Sequence, residues 1–209
     1  VPVITYTVSN GTNIDTAELS VTVIPVNDLP LAVDDTYATA EDVPLTGNLG
    51  LNDTRSGDGG NVWSVVAAPA HGSVTINLDG TFTYTPTADY TGVDSFTYKL
   101  CDEGGDCSTA TVSFTVSAVN DAPVANNDIA TTPEDTPVTG NVITNDTDTE
   151  GTALTVTQFV VNGDPATYAA GSTATIPLVG TIQINSDGSY TFTPYLNYHG
   201  PVPVITYTN

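Results

Sequence analysis

The chain repeats itself, and the repeat limits its fold more than any other feature. TAELSVTVIPVNDLPLAVDD (Thr16–Asp35) aligns with TATVSFTVSAVNDAPVANND (Thr109–Asp128) at an offset of 93 residues. TAEDVPLTGNLGLND (Thr39–Asp53) aligns with TPEDTPVTGNVITND (Thr132–Asp146) at the same offset. GSVTINLDGTFTYTP (Gly72–Pro86) aligns with GTIQINSDGSYTFTP (Gly180–Pro194) at an offset of 108, so about 15 residues are added between Asp148 and Val179. Such self-similarity predicts a linear array of small units, whose stability is roughly a sum of unit and interface terms.

The two ends share VPVITYT, residues 1–7 and 202–208, spaced by 201. This stretch holds the place of VDSFTYK in the middle of the chain, yet the ends resemble each other far more than either resembles the middle. Two alternating repeat types, roughly 93 and 108 residues long, account for that in a super-repeat of 201. The expected organisation has three parts. Residues 1–26 are the last two strands of a preceding repeat, residues 27–119 a complete domain, and residues 120–209 a second, longer domain lacking its final strands. Without a starting Met or a signal peptide, the chain is expected to be an internal piece of a longer polypeptide.

Within each unit the apolar residues alternate with period two, which predicts half-buried strands. In T-F-T-Y-T-P, Phe82 and Tyr84 share one face, and Thr81, Thr83 and Thr85 the other. The D-G pairs at Asp79 and Asp187 mark hairpin turns. About seven short strands per unit, with no amphipathic helix, predict an all-β chain of tandem β-sandwich domains. Cys101 and Cys107 bracket a Gly-rich turn and can face each other across a hairpin as a disulfide, which points to an oxidising compartment.

Only Arg55 and Lys99 are basic, against 24 Asp and Glu, for a formal net charge of −22. That balance excludes nucleic acid and anionic membrane as partners, and no apolar run is long enough to insert in a membrane. The acids recur in short groups: Asn27-Asp28, Glu41-Asp42 and Asn52-Asp53, then Asn120-Asp121, Glu134-Asp135 and Asn145-Asp146. The last runs into D-T-D-T-E-G, with Asp146, Asp148 and Glu150 at alternate positions before Gly151. Oxygen donors so spaced before a glycine suit Ca2+, which takes six to eight oxygens in flexible geometry. Zinc or iron would call on His or Cys, and His71 and His199 lie in unmatched loops. Asp, Asn and Gly also simply mark turns, which explains the D-G pairs better than the repeated E-D-x-P and N-D-x-P.

Together, V-N-D-x-P, E-D-x-P, N-D-x-D, D-G-[TS]-[FY]-T-[YF]-T-P and F-T-Y resemble the bacterial immunoglobulin-like and cadherin-like tandem repeats of large surface adhesins, including RTX-type ones. The resemblance spans the whole chain and implies tandem immunoglobulin-like β-sandwiches. By analogy with cadherins, the joint near residue 120 would gather Glu41, Asp42, Asn120, Asp121, Asp146 and Asp148 around calcium. Asp102 is a further candidate ligand, and Asn27, Asp28, Asp53, Glu134, Asp135 and Glu150 are the corresponding candidates elsewhere. The first N-D-T is followed by Arg55 where the second has Asp148, with Asp58 as a compensating acid, and the joint at Asn27-Asp28 is expected to bind fewer or weaker ions than the joint at Asn120-Asp121.

No nucleophile, base or metal constellation for catalysis stands out. The expected function is mechanical: a calcium-stiffened extender in an extracellular adhesin or fibre on a bacterial surface. Its partners are neighbouring repeats, with host or surface ligands engaged by other modules. Two alternatives remain: a glycan- or protein-binding module using the added segment Thr149–Leu178, or a fibre subunit joined head-to-tail by strand exchange.

Overall fold

The alternation in T-F-T-Y-T-P is borne out: Phe82 and Tyr84 are buried, while Thr83 and Thr85 are exposed. The computed structural model describes residues 3–208; Val1 and Pro2 of the first VPVITYT, and Asn209, lie outside the described residues. The chain divides into two compact units, residues 1–118 and 119–209.

The first unit opens with β1 (Ile4–Ser9) and β2 (Ile14–Leu19), paired antiparallel with Tyr6 opposite Ala17. Every residue from Val3 to Leu29 is exposed. Seven strands follow: β3 (Asp35–Ala40), β4 (Leu45–Asn48), β5 (Val62–Ala67), β6 (Gly72–Ile76), β7 (Thr81–Pro86), β8 (Gly92–Cys101) and β9 (Cys107–Ser117). They form two sheets, ordered β3-β9-β8-β5 and β4-β7-β6, with β3 parallel to β9.

Inward-facing residues of both sheets make the core, including Trp63, Phe82, Tyr84, Phe96, Tyr98, Val112 and Phe114. Tyr84 stacks on Phe114 at 3.9 Å between ring centroids. Each such buried side chain contributes about 1.5–3 kcal/mol relative to exposure. β8 and β9 are the longest strands of the unit, and their register places Cys101 opposite Cys107, which form the expected disulfide.

The second unit contains β10 (Val138–Asn141), β11 (Gln158–Val161), β12 (Thr167–Ala169), β13 (Thr173–Ile176), β14 (Gly180–Ile184), β15 (Ser189–Pro194) and β16 (Ile205–Thr208). Its sheets are ordered β10-β15-β14-β13 and β12-β11-β16. The region holding the added residues is not a surface loop. It supplies edge strands to both sheets, β12 beside β11 and β13 beside β14, and buries Phe159, Val161, Ala174 and Ile176. Residues 125–133, which align with the stretch containing β3, form no strand. Among the described residues, no helix is long and apolar enough to cross a membrane.

Candidate metal centre

The repeated N-D of V-N-D-x-P precedes the seven-stranded sandwich of the first unit and stands at the start of the second. In the first, Asp28 N donates to Asp58 Oδ2 at 2.8 Å, and Asn27 Nδ2 donates to Asp106 Oδ2 at 3.1 Å. The Ser56 hydroxyl donates to the Asp28 carbonyl at 2.8 Å, tying the entering chain to the S-G-D loop. A Cβ on Gly57 would stand 2.5 Å from Asp28 Oδ2, so a side chain there would displace that carboxylate. The disulfide closes the β8–β9 hairpin, whose loop holds Asp102 and Asp106 at the same end of the unit.

Asp102 is the most telling residue of this group. It is only 6% exposed; its Oδ1 accepts from Asp106 N at 2.9 Å, while its buried Oδ2 has no hydrogen-bond partner. A buried carboxylate oxygen without a partner is costly unless a cation meets it. A Cβ on Gly104 would lie 3.3 Å from Asp102 Oδ1 and 3.9 Å from both Asn27 Oδ1 and Asp106 Oδ2. These three oxygens therefore lie around one place. These hard donors fit calcium, and the cysteines are consumed in the disulfide.

The second unit reproduces the arrangement with different residues. Asp121 N donates to Glu150 Oε2 at 3.2 Å, the bond that Asp58 accepts in the first unit. Asp121 Oδ2 is buried without a partner. Asp148 Oδ1 accepts from Thr152 N at 2.8 Å across the Gly151 bend, and Asn120 Nδ2 donates to the Asp121 carbonyl at 2.8 Å. Arg55, which aligns with Asp148, holds its guanidinium 5.0 Å over the Trp63 ring. Asp58 thus takes the place of Glu150, and the first unit has no acid at the position of Asp148.

The E-D pairs sit at the other end of their units. Glu41 is 3% exposed, and its N–H donates to the carbonyl of Ser117, the last residue of β9. Asp42 (φ 59°) accepts from Asp89 N at 3.3 Å; Asp135 (φ 60°) likewise accepts from Asn197 N, at 2.6 Å. Glu134 lies 3.8 Å from the His199 ring. Within the first unit, then, Asn27, Asp28 and Asp102 gather at the pole where the chain enters, and Glu41 and Asp42 at the pole where it leaves.

Asp53 and Asp146 are placed differently. Asp53 Oδ1 accepts from Val33 N and the Tyr98 hydroxyl, both at 2.8 Å, and Oδ2 accepts from Trp63 Nε1 at 2.7 Å. Asp146 Oδ1 accepts from Asn126 N at 2.8 Å, and both its oxygens face the Tyr207 hydroxyl at 3.0–3.1 Å. The N-D-x-D reading put these two among the ligands; the structure turns their carboxylates onto core aromatics. Burial and these carboxylates hold both tyrosines well above the ordinary phenol range. Burial, then the Asp53 charge, pushes the neighbouring Asp35 up to about 6. Asp128, its counterpart, is raised by burial and Asp146.

Sequence reasoning missed Asp106 and Asp94. Asp106 carried no signal beyond its place in a Gly-rich loop. Asp94 did carry one: it shares the inward face of β8 with Phe96, Tyr98 and Leu100. It is buried and accepts from Ala70 N, His71 N and the Tyr84 hydroxyl.

Residues 27–115 match the family model of the bacterial Ig domain, and residues 120–209 that of the bacterial cadherin-like domain. A search of curated protein sequences finds no match. Among solved structures, protocadherin gamma B7 extracellular cadherin domains 1–4 are 14% identical, with 92–93% of this chain covered in each likeness named here and a TM-score of 0.43. Human CDH23 EC21-23 is 15% identical with a TM-score of 0.42, and the endo-fucoidan hydrolase MfFcnA4 from glycoside hydrolase family 107 is 19% identical with 0.38. The chain spans 52%, 64% and 30% of those three chains, respectively. Domains of the two matching families are typically non-enzymatic and extracellular or on the cell surface. The chain belongs to the bacterial immunoglobulin-like and cadherin-like repeats, one of each kind in tandem.

Proposed function

We propose that this chain is an extender segment of a long bacterial surface adhesin or fibre, stiffened by calcium bound where one repeat follows another. The observation that carries the reading is Asp102 at the entry pole of its unit, whose Oδ2 is buried without a partner while its Oδ1 shares the space at Gly104 with Asn27 Oδ1 and Asp106 Oδ2. Asn27, Asp28, Asp58, Asp102 and Asp106 would hold the ion in the first unit. Asn120, Asp121, Asp148 and Glu150 would hold it in the second, with Glu41, Asp42, Glu134 and Asp135 serving the opposite poles. Bound calcium would neutralise carboxylates that otherwise repel one another and would fix the entering N-D segment to the loops around it. Binding only to the ordered site stabilises the unit by about 2.7 kcal/mol at a hundredfold excess over Kd.

The Asp58 contact to Asp28 also bears on the expected weakness of the first site, since the S-G-D loop supplies a carboxylate despite Arg55. A ligand-recognition role for the added segment has less support, because much of that region is spent on core and edge strands. Small-angle scattering with calcium and with chelator tests the extender reading, alongside calorimetric calcium titration. The expected result is calcium uptake with a longer, narrower distribution of maximum dimensions. Uptake without any change in dimensions would overturn stiffening, and no uptake would overturn the calcium site itself.

A further inference from the structure

We propose that the Cys101–Cys107 disulfide is the positioning element of the first unit's calcium site, so that reducing it weakens calcium binding there while the unit stays folded. This coupling rests on the calcium reading above and adds a redox control to it. The bond joins the last facing pair of β8 and β9. The pairs from Gly92–Val116 to Leu100–Ser108 hold those strands without it, and Tyr98, Leu100, Ala110 and Val112 lie buried just inside it. The sandwich therefore does not depend on the bond.

What the bond closes is the loop D-E-G-G-D, residues 102–106. Such a segment holds its own shape poorly. Gly104 and Gly105 free its backbone, Gly105 standing at φ 91°, and the carboxylates of Asp102, Glu103 and Asp106 repel one another. Closed, the loop sets Asp102 N on the Asp106 carbonyl at 3.0 Å and Asp106 N on Asp102 Oδ1 at 2.9 Å. It also meets the other two segments of the site. Glu103 N donates to the Gly59 carbonyl at 3.1 Å, next to Asp58 in the chain, and Asp106 Oδ2 accepts from Asn27 Nδ2 at 3.1 Å.

Ordering the loop before an ion arrives removes an entropic cost from binding. Once the bond is broken, calcium must order the loop itself. Cys107 is exposed, so a small dithiol reaches the bond. The Sγ–Sγ bond breaks, two electrons and two protons make two thiols of it, and the dithiol that supplies them closes to its own disulfide. The coupling is reciprocal: calcium must favour the closed bond by the same factor by which the bond favours calcium.

The test is calorimetric calcium titration of the full chain, oxidised and dithiol-reduced, with Trp63 fluorescence checking that the first unit remains folded. No cysteine occurs in residues 119–209, so the second unit's site is the internal reference. Reduction should weaken one class of sites at least about fivefold and leave the other unchanged. In glutathione buffers, adding calcium should lower the ratio of reduced to oxidised chain by the same factor. Cys101→Val with Cys107→Val keeps a facing β-branched pair without the bond and should bind as the reduced chain does. It decides the matter where reduction alone unfolds the unit. Equal affinity with and without the bond would overturn the coupling and leave the calcium reading standing. No calcium uptake by the oxidised chain would overturn both. Unfolding of both bondless forms would also overturn it, because the bond would then serve the fold and not the loop.

Discussion

The Tyr98 hydroxyl donates to Asp53 Oδ1 at 2.8 Å, and in the second unit Tyr207 presents its hydroxyl to Asp146 in the same way. The tyrosine of F-T-Y and of V-I-T-Y-T is thus a latch. It ties a late strand to the N-D loop near the start of its unit and joins residues 45 apart in one unit and 61 apart in the other.

Asp53→Ala should cost about 3 kcal/mol or more, because it strands the Tyr98 hydroxyl, the Trp63 indole N–H and the Val33 amide together. Tyr98→Phe should cost about 1–2 kcal/mol, since it removes only one donor. Urea unfolding followed by Trp63 fluorescence reads this unit alone, Trp63 being the chain's single tryptophan. Equal losses in the two variants would refute the shared latch.

Asp35 gives the first unit a pH dependence of definite sign. Burial raises its folded pKa from 3.8 to about 6, so the folded state binds more protons than the unfolded state between those values. Its contribution to stability is present at low pH and is lost as pH rises through about 6. Asp35→Asn should flatten that fall and raise stability at pH 7 by up to about 1 kcal/mol, a small figure because the group is partly solvated. The check is a series of denaturation curves from pH 4 to 7; parallel profiles for parent and variant would contradict it.

A buried polar pair in one unit is apolar in the other. Tyr84 donates to Asp94 Oδ2 at 2.8 Å, and the aligned residues in the second unit are Phe192 and Pro203. Phe192→Tyr should therefore destabilise the second unit by about 1–3 kcal/mol, because its new hydroxyl meets no carboxylate. Tyr84→Phe should cost the first unit about 1 kcal/mol. Thermal unfolding of each variant decides the matter, and a neutral Phe192→Tyr would mean that water or backbone satisfies the hydroxyl.

Calcium should stabilise the first unit through Asp102. In chelator, Asp102→Ala should change stability by less than about 1 kcal/mol, because the lost Asp106 contact is offset by removal of a buried, partnerless oxygen. In calcium it should abolish the rise in the Trp63 unfolding midpoint that the parent shows. A variant that keeps the full rise would exclude Asp102 as a ligand.

Sequence alone showed the internal repeat and most of the strands, because strand alternation and turn chemistry are local and are written twice; that residues 128–133 form no strand was not legible in it. It also placed Cys101 and Cys107 across one hairpin. Tertiary structure decided which carboxylates share a place. Asp28 and Asp58 are 30 positions apart and Asn27 and Asp106 are 79 apart, yet each pair is joined by a hydrogen bond. No local pattern encodes those distances, since they follow from how the sheets fold over one another. For the same reason the N-D motif divides its labour: the Asp of V-N-D-x-P stays at the pole, while Asp53 and Asp146 turn inward to tyrosine. Both kinds look alike in sequence, and only the packing of Tyr98, Trp63 and Tyr207 against the second kind separates them.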